Sequence, residues 1–114
     1  MTIHKLMILL SMSLSFSIIA EDKKTEEKKT VEVIQKDKKF DRNELTIKVG
    51  DTIDFKNEET NVTHNVFSMG PKNAFDIQSQ KPKSSSKVEF KEEGETEIEC
   101  AIHPTMKLKV KVTK

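Results

Sequence analysis

The sequence predicts an all-β fold, a Greek-key β-sandwich of about eight short strands. Three observations support this prediction: apolar and polar residues alternate with a period of two from residue 30 onward, turn-forming residues separate the alternating runs, and no stretch shows the period of an amphipathic helix. A chain of 114 residues has room for one small domain. Strands at this spacing in such a domain predict two antiparallel sheets packed face to face.

Residues 1–20 are predicted to be a secretory signal peptide. Lys5 provides a short positive region, residues 6–19 form an apolar stretch interrupted by serines, and Ala20 is a small residue at the cleavage point. The stretch is too short and too rich in serine to span a bilayer, so no stable membrane insertion is expected after cleavage. The alternative, a buried N-terminal helix of the domain, is disfavoured by the charged segment that follows. The sequence thus predicts a soluble protein exported to the periplasm.

Residues 21–29 are predicted to be a charged, disordered leader. This segment is charged at almost every position and contains no apolar residue, so it has nothing to bury against a core. The folded domain is therefore expected to span residues 30–114.

The strand prediction depends on short runs of strict alternation, each with one apolar and one polar face. Turn residues fall between the runs, including Gly50 and Gly94. The alternating runs are 31–33, 45–49, 53–55, 88–90, 98–100 and 106–112.

The last two runs also predict a register. Cys100 has the same parity as Ile98, and Met106 the same parity as Leu108, so both Cys100 and Met106 are expected to face the core. A hairpin through residues 101–105 would place oppositely charged side chains in pairs on the outer face. The predicted pairs are Glu99 with Lys107, Glu97 with Lys109, and Glu95 with Lys111.

The charge balance excludes one class of function. The chain has 20 Lys and Arg against 19 Asp and Glu, and removal of residues 1–20 takes away only Lys5. The mature chain is therefore electrically balanced, and it contains no Trp or Tyr. It has neither the basic surface nor the stacking rings that a nucleic-acid binder uses.

Cys100, His103 and Met106 lie three residues apart in one short segment between two alternating runs. Thiolate, imidazole and thioether are donors that copper accepts as both Cu(II) and Cu(I). His64 offers a second imidazole, and no other histidine or cysteine remains after residues 1–20 are removed. The residues predict one copper ion held by His64, Cys100, His103 and a weak axial Met106, the ligand set of blue-copper electron carriers.

Export strengthens the metal interpretation of the single cysteine. A lone thiol in an oxidising compartment has no internal disulfide partner and is open to oxidation. Ligation to a metal deprotonates the thiol and shields it. The alternative, an inert buried cysteine, would be the default for Cys100 without His103 and Met106 beside it.

The segment Cys-x-x-His-Pro-x-Met before the last strand, with His64 and Asn65 some 36 residues before the cysteine, resembles the cupredoxin family of type 1 (blue) copper proteins. The short ligand spacing is most similar to the amicyanin, plastocyanin and pseudoazurin branches. Phe40 and residues 45–55 also resemble the early strands of that family. The resemblance covers about residues 40–112 and implies a cupredoxin-like fold.

The resemblance also implies roles for individual residues. His64, Cys100 and His103 would hold copper in a trigonal plane, with Met106 as the long axial ligand. In relatives, the residue matching Asn65 often bonds a hydroxyl just after the cysteine. Ala101 has no hydroxyl, so the connection is expected to run through backbone groups or to be weaker.

A second departure from the family pattern lies at Ile102, where relatives have proline. Isoleucine restores an N–H that could donate to the thiolate sulfur and favour Cu(I). On this reasoning, Ile102→Pro is expected to lower the reduction potential.

The expected function is that of a monomeric, non-enzymatic electron carrier between redox partner proteins. The likeness to amicyanin suggests an amine dehydrogenase and a c-type cytochrome as those partners. In the family, the histidine that matches His103 reaches the surface within an apolar docking patch. Candidate patch residues here are Met69, Pro71, Ile102 and Pro104.

Two metal-binding alternatives remain open at this point. A periplasmic protein that stores or delivers copper would use the same ligands without transferring electrons, although such a protein would favour more methionines than this chain has. Zinc would find three good ligands and an incomplete shell, because a thioether is a poor zinc donor.

Two further alternatives involve no metal. An enzyme with Cys100 as nucleophile and His103 or His64 as base needs an accessible thiolate, whereas Cys100 is in phase with core residues. A plain β-sandwich interaction module would make the conjunction of all four donors accidental.

Overall fold

The computed structural model describes residues 27–114, which contain nine β-strands and no helix. The predicted signal peptide and most of the predicted leader lie outside the described residues. The strands are β1 (Thr30–Lys36), β2 (Lys39–Phe40), β3 (Glu44–Lys48), β4 (Thr52–Asn57), β5 (Val66–Ser68), β6 (Phe75–Asp76), β7 (Ser85–Glu89), β8 (Gly94–Cys100) and β9 (Lys107–Thr113).

The strands form two sheets, which confirms the all-β sandwich. The first sheet has four strands in the order β2-β1-β4-β7, and the second has five in the order β3-β9-β8-β5-β6. Strands from the beginning and the end of the domain are thus neighbours within the second sheet. That arrangement needs crossovers between the sheets, as in Greek-key sandwiches.

The prediction that both sheets are antiparallel was wrong. β1 pairs with β4 in parallel, and β3 pairs with β9 in parallel, so each sheet is mixed. Alternation of apolar and polar residues reports which face of a strand is buried and carries no information on the direction of its neighbour. Parallel neighbours arise here because the chain leaves the first sheet after β2 and returns to it after β3.

The core lies between the inner faces of the two sheets. Its largest fully buried side chains include Phe55, Phe90, Ile98 and Leu108. Val49 is the exception to the alternation, because the strand ends at Lys48 and the Val49 side chain is 40% exposed. The core holds thirteen buried apolar residues: Val33, Phe40, Ile47, Ile53, Phe55, Val66, Phe90, Ile98, Cys100, Met106, Leu108, Val110 and Val112.

The register of the last hairpin was predicted correctly. Glu99 lies opposite Lys107, Glu97 opposite Lys109, and Glu95 opposite Lys111. On the inner face, Ile98 pairs with Leu108, and both are fully buried. This register places the last residue of β8, Cys100, at one end of the sandwich with its side chain in the core.

Asp51 ties the start of the domain to the turn between β3 and β4. Its carboxylate accepts hydrogen bonds of 2.9 Å from the backbone N–H groups of both Lys29 and Lys48. Burial opposes ionisation, but these two donors hold the pKa of Asp51 below its usual value. The ionised carboxylate therefore stabilises the entry into β1.

Candidate metal centre

Three of the predicted ligand side chains meet at one end of the sandwich. The Nδ1 atoms of His64 and His103 lie 3.1 Å apart, and the Sγ atom of Cys100 lies 3.7 Å from each of them. Residues 64, 100 and 103 are the group of metal-ligating side chains that the described part of the chain brings together.

The triangle formed by these three atoms has the size of a metal site. A point about 2.0 Å from all three corners exists at its centre, which matches the bond lengths of roughly 2.0–2.3 Å from first-row metals such as zinc to imidazole nitrogen and thiolate sulfur. The set of two imidazoles and one thiol fits a trigonal copper site. The residues present therefore fit the metal predicted from the sequence.

Cys100 reaches this position because β8 ends there. It pairs with Val66 of β5 and is 2% exposed. The backbone N–H of Asn65 points at the sulfur, with the nitrogen 3.4 Å from Sγ. The strand pairing thus delivers both the sulfur and a hydrogen-bond donor to it.

His64 is held by the backbone on one side of the site. It forms an isolated bridge with Gln80, in which each residue's N–H donates to the other's carbonyl, at 3.1 and 2.7 Å. The Gln80 side chain continues inward and donates to the carbonyl of Phe55 while accepting from Gln35. His64 is consequently fully buried and fixed from behind.

Glu59 is a site residue that was not predicted from the sequence. Its Oε2 lies 2.9 Å from Nε2 of His64, on the ring edge away from the sulfur. Burial works against its ionisation, but hydrogen bonds from the Lys38 N–H and from His64 hold the pKa of Glu59 below its usual value. In the sequence, Glu59 lies within a polar turn segment, where a glutamate is normally solvated. Its position five residues before His64 is the only signal that could have suggested a contact.

His103 comes from the loop between β8 and β9. Its carbonyl accepts the N–H of Met106 at 3.0 Å, which closes the loop, and its side chain is half-buried. Burial, followed by the nearby His64 and Lys38, lowers the pKa of His103. No hydrogen-bond partner for its Nε2 is found among residues 27–114, whereas His64 uses Nε2 to contact Glu59.

Met106 has the burial that an axial ligand needs. It is 1% exposed and belongs to the core cluster, in phase with Leu108, as predicted. Its N–H bond to His103 places the two residues in the same turn of the ligand loop. Its role as the axial ligand stays a prediction.

Asn65 connects the two ligand segments through the backbone, as expected from the lack of a hydroxyl at Ala101. The N–H of Ala101 donates to the carbonyl of Asn65 at 2.9 Å. Among the described residues, the backbone N–H that points at the sulfur belongs to Asn65 and not, as expected, to Ile102. The basis for the predicted effect of Ile102→Pro on the reduction potential is therefore absent.

Two of the candidate patch residues are strongly exposed. Met69 is 80% exposed and Ile102 is 51% exposed, and both count among the exposed large apolar side chains of the domain. Pro104 and Pro71 are exposed as well. Ile102 and Pro104 are the chain neighbours of the half-buried His103, so exposed apolar residues precede and follow it.

A mixed β-sandwich that gathers two imidazoles and a buried thiol at one end defines a small copper-binding domain of the cupredoxin class. Residues 27–113 match the model of a family described as copper binding proteins of the plastocyanin/azurin family. The chain belongs to that family, and copper is its cofactor. Its described residues contain no helix that is both long enough and apolar enough to cross a membrane.

The solved structures that match include several forms of amicyanin. A methionine-to-alanine variant in the Cu(I) state is 28% identical, with a TM-score of 0.66 over 73% of this chain and 81% of that chain. An oxidised proline-to-alanine variant is 29% identical with the same TM-score and coverage. An oxidised methionine-to-leucine variant is 29% identical, also with a TM-score of 0.66, over 72% of this chain and 80% of that chain. A comparison with curated protein sequences finds no significant match.

Proposed function

We propose that this protein is an exported type 1 copper protein that passes single electrons between redox partners in the periplasm. His64, Cys100 and His103 would hold the ion, with Met106 as the axial ligand. When bound, copper supplies one-electron chemistry between Cu(II) and Cu(I). The observation that supports the proposal is the convergence of three donor atoms with separations of 3.1 and 3.7 Å.

The donors in this site are held rather than mobile. Cys100 is fixed by strand pairing with Val66, and His64 is fixed by its bridge to Gln80. A site whose ligands are locked by the surrounding structure changes little between oxidation states, so little reorganisation opposes electron transfer. The sandwich therefore supplies the rigidity that an electron carrier needs.

His103 is the ligand that would connect the site to a partner. It is the least buried of the three described donors, and Ile102 and Pro104 on either side of it are exposed. Such a patch fits a small and short-lived encounter with another redox protein. An amine dehydrogenase as electron donor and a c-type cytochrome as acceptor are proposals from the likeness to amicyanin.

The burial of the donors bears on the alternatives. A nucleophilic cysteine must meet its substrate, but Cys100 is 2% exposed and faces the core. Copper delivery requires exchange of the ion with another protein, and both Cys100 and His64 are too buried to be approached by a second ligand set. These observations favour electron transfer over catalysis and over metal transfer.

The test uses the chain from residue 21 onward, loaded with Cu(II). We expect an intense visible absorption band from sulfur-to-copper charge transfer, reversible one-electron voltammetry, and loss of the band in Cys100→Ser. A colourless protein would contradict the proposed site. A blue protein that loses its copper on reduction would instead support storage or delivery.

A further inference from the structure

A buried carboxylate touches the imidazole of His64 on the side opposite the other donors. Glu59 is 7% exposed, and its Oε2 lies 2.9 Å from Nε2 of His64. A buried charge is costly unless it is paired or hydrogen-bonded. The same residue could lie in solvent, as the half-buried neighbouring Glu58 partly does, so the position of Glu59 calls for an explanation in the site itself.

The backbone holds Glu59 against His64. The N–H of Lys38 donates to the same Oε2 atom at 2.7 Å, and the N–H of Glu59 itself donates to the Asn57 side chain at 3.0 Å. Lys38 lies in the tight turn between β1 and β2, where Asp37 and Lys38 both have positive φ values of 55° and 59°. The turn therefore presents its N–H to the carboxylate and leaves Glu59 little freedom to swing away.

This contact selects one tautomer of His64. An ionised carboxylate can only accept hydrogen bonds, so the ring atom facing it must carry the proton. With the proton on Nε2, the lone pair of His64 is left on Nδ1, the atom that points towards Cys100 and His103. A carboxylate bonded in this way also makes a ligating imidazole a stronger donor.

We propose that Glu59 is a positioning residue of the copper site that fixes the Nδ1-ligating tautomer of His64 and lowers the reduction potential. The charge count supports the direction. Cu(II) and the Cys100 thiolate together carry one positive charge, which the Glu59 carboxylate neutralises, whereas the reduced site gains a net negative charge beside a buried anion. Glu59 thus stabilises the oxidised form relative to the reduced form. This inference rests on the copper binding of the proposed function, not on the identity of its partners.

The first test compares Glu59→Gln with Glu58→Gln in the copper-loaded protein. Glutamine keeps an oxygen that can accept from Nε2–H, so Glu59→Gln removes the charge and keeps the contact. We expect Glu59→Gln to raise the equilibrium constant for reduction at least tenfold, a shift of about 59 mV for one electron. Glu58→Gln removes the same charge from a half-buried neighbour and should shift the potential by less than a third of that. Equal shifts in the two variants would overturn the proposal.

A second measurement does not depend on the folding of a variant. In the wild-type Cu(I) protein, the Nε2–H proton of His64 should give a resolved, slowly exchanging NMR signal correlated with a protonated ring nitrogen. A deprotonated Nε2 would overturn the proposal.

Glu59→Ala removes both charge and contact, and we expect roughly 10- to 100-fold weaker copper binding. If wild-type protein binds no copper at all, the proposed function fails. If the protein is blue and Glu59→Gln shifts the reduction potential more than Glu58→Gln does, the effect belongs to Glu59.

Discussion

The side-chain amide of Asn65 donates a 2.8 Å hydrogen bond to Oδ1 of Asp76. The same oxygen accepts the N–H of Gln78 at 2.7 Å, and these two donors lower the pKa of Asp76. Asn65 also supplies the N–H at the Cys100 sulfur and the carbonyl that accepts the N–H of Ala101. Asp76 therefore holds the residue that links the two ligand segments.

Asp76→Ala should speed the loss of copper. Without its acceptor, the Asn65 side chain is no longer restrained and the backbone around the sulfur loosens. Because a typical hydrogen bond contributes about 0.5–1.5 kcal/mol net, we expect a roughly two- to tenfold faster transfer of copper to a chelator. The visible band followed during chelation measures this rate.

Two further variants separate the effect of the Asn65–Asp76 hydrogen bond from the effect of the Asp76 charge. Asp76→Asn keeps an acceptor oxygen and should release copper at nearly the wild-type rate. Ala101→Thr adds a hydroxyl to the residue whose N–H already bonds the Asn65 carbonyl. Combined with Asp76→Ala, it should bring the rate of copper release part of the way back to that of the wild type. An Asp76→Asn variant as fast as Asp76→Ala would indicate that charge, rather than the hydrogen bond, is responsible.

Ile102→Pro should leave the reduction potential nearly unchanged. The N–H at the sulfur belongs to Asn65, so proline at 102 removes no donor to the thiolate. We expect less than a twofold change in the equilibrium constant for reduction, under about 20 mV. Voltammetry of the two proteins checks this, and a clear fall in potential would show that Ile102 donates to the sulfur once copper is bound.

Leu108→Ala should destabilise the domain strongly. Leu108 is fully buried opposite Ile98, so truncation leaves a cavity between the sheets. Substitutions of this kind cost about 2–5 kcal/mol in the free energy of unfolding. Denaturation in urea measures the loss, with Val49→Ala as the control. Val49 is 40% exposed, so its truncation should lower the free energy of unfolding by well under half as much.

Asp51→Asn should destabilise the protein in a pH-dependent way. The pKa of Asp51 is lowered in the folded state, so its contribution is complete above the ordinary aspartate pKa of about 3.9 and is lost as the pH falls through the folded-state pKa. The difference in unfolding free energy between the two proteins should therefore be larger at pH 6 than at pH 3, which lies below the ordinary aspartate pKa. Urea titrations of the copper-free proteins at the two pH values avoid the proton competition at the metal ligands. A constant difference would exclude a role for the ionised form.

The features that local patterns determine could be predicted from the sequence. The inward phase of Cys100 and Met106 and the register of the last hairpin follow from a period of two, because a shift by one residue would expose the core face. The grouping of His64 with Cys100 and His103 was predictable from their chemistry, since the chain offers few other soft donors.

The features that the sequence did not reveal depend on contacts between distant segments. Glu59 reaches His64 only because the β1–β2 turn supplies a backbone donor to the carboxylate. The parallel pairings of β1 with β4 and of β3 with β9 depend on how the chain crosses between sheets. The Asn65 donor to sulfur likewise follows from the pairing of Val66 with Cys100. None of these leaves a periodic trace in the sequence.

The parallel pairing of β3 with β9 has a consequence for biogenesis. The second sheet is completed only when residues 107–113, at the very end of the described chain, dock between β3 and β8. Without that long-range pairing, β8 lacks its neighbour β9, and the thiol of Cys100 at the end of β8 is less enclosed against oxidants. A chain truncated before Lys107 would therefore forfeit protection of its single sulfur along with its metal.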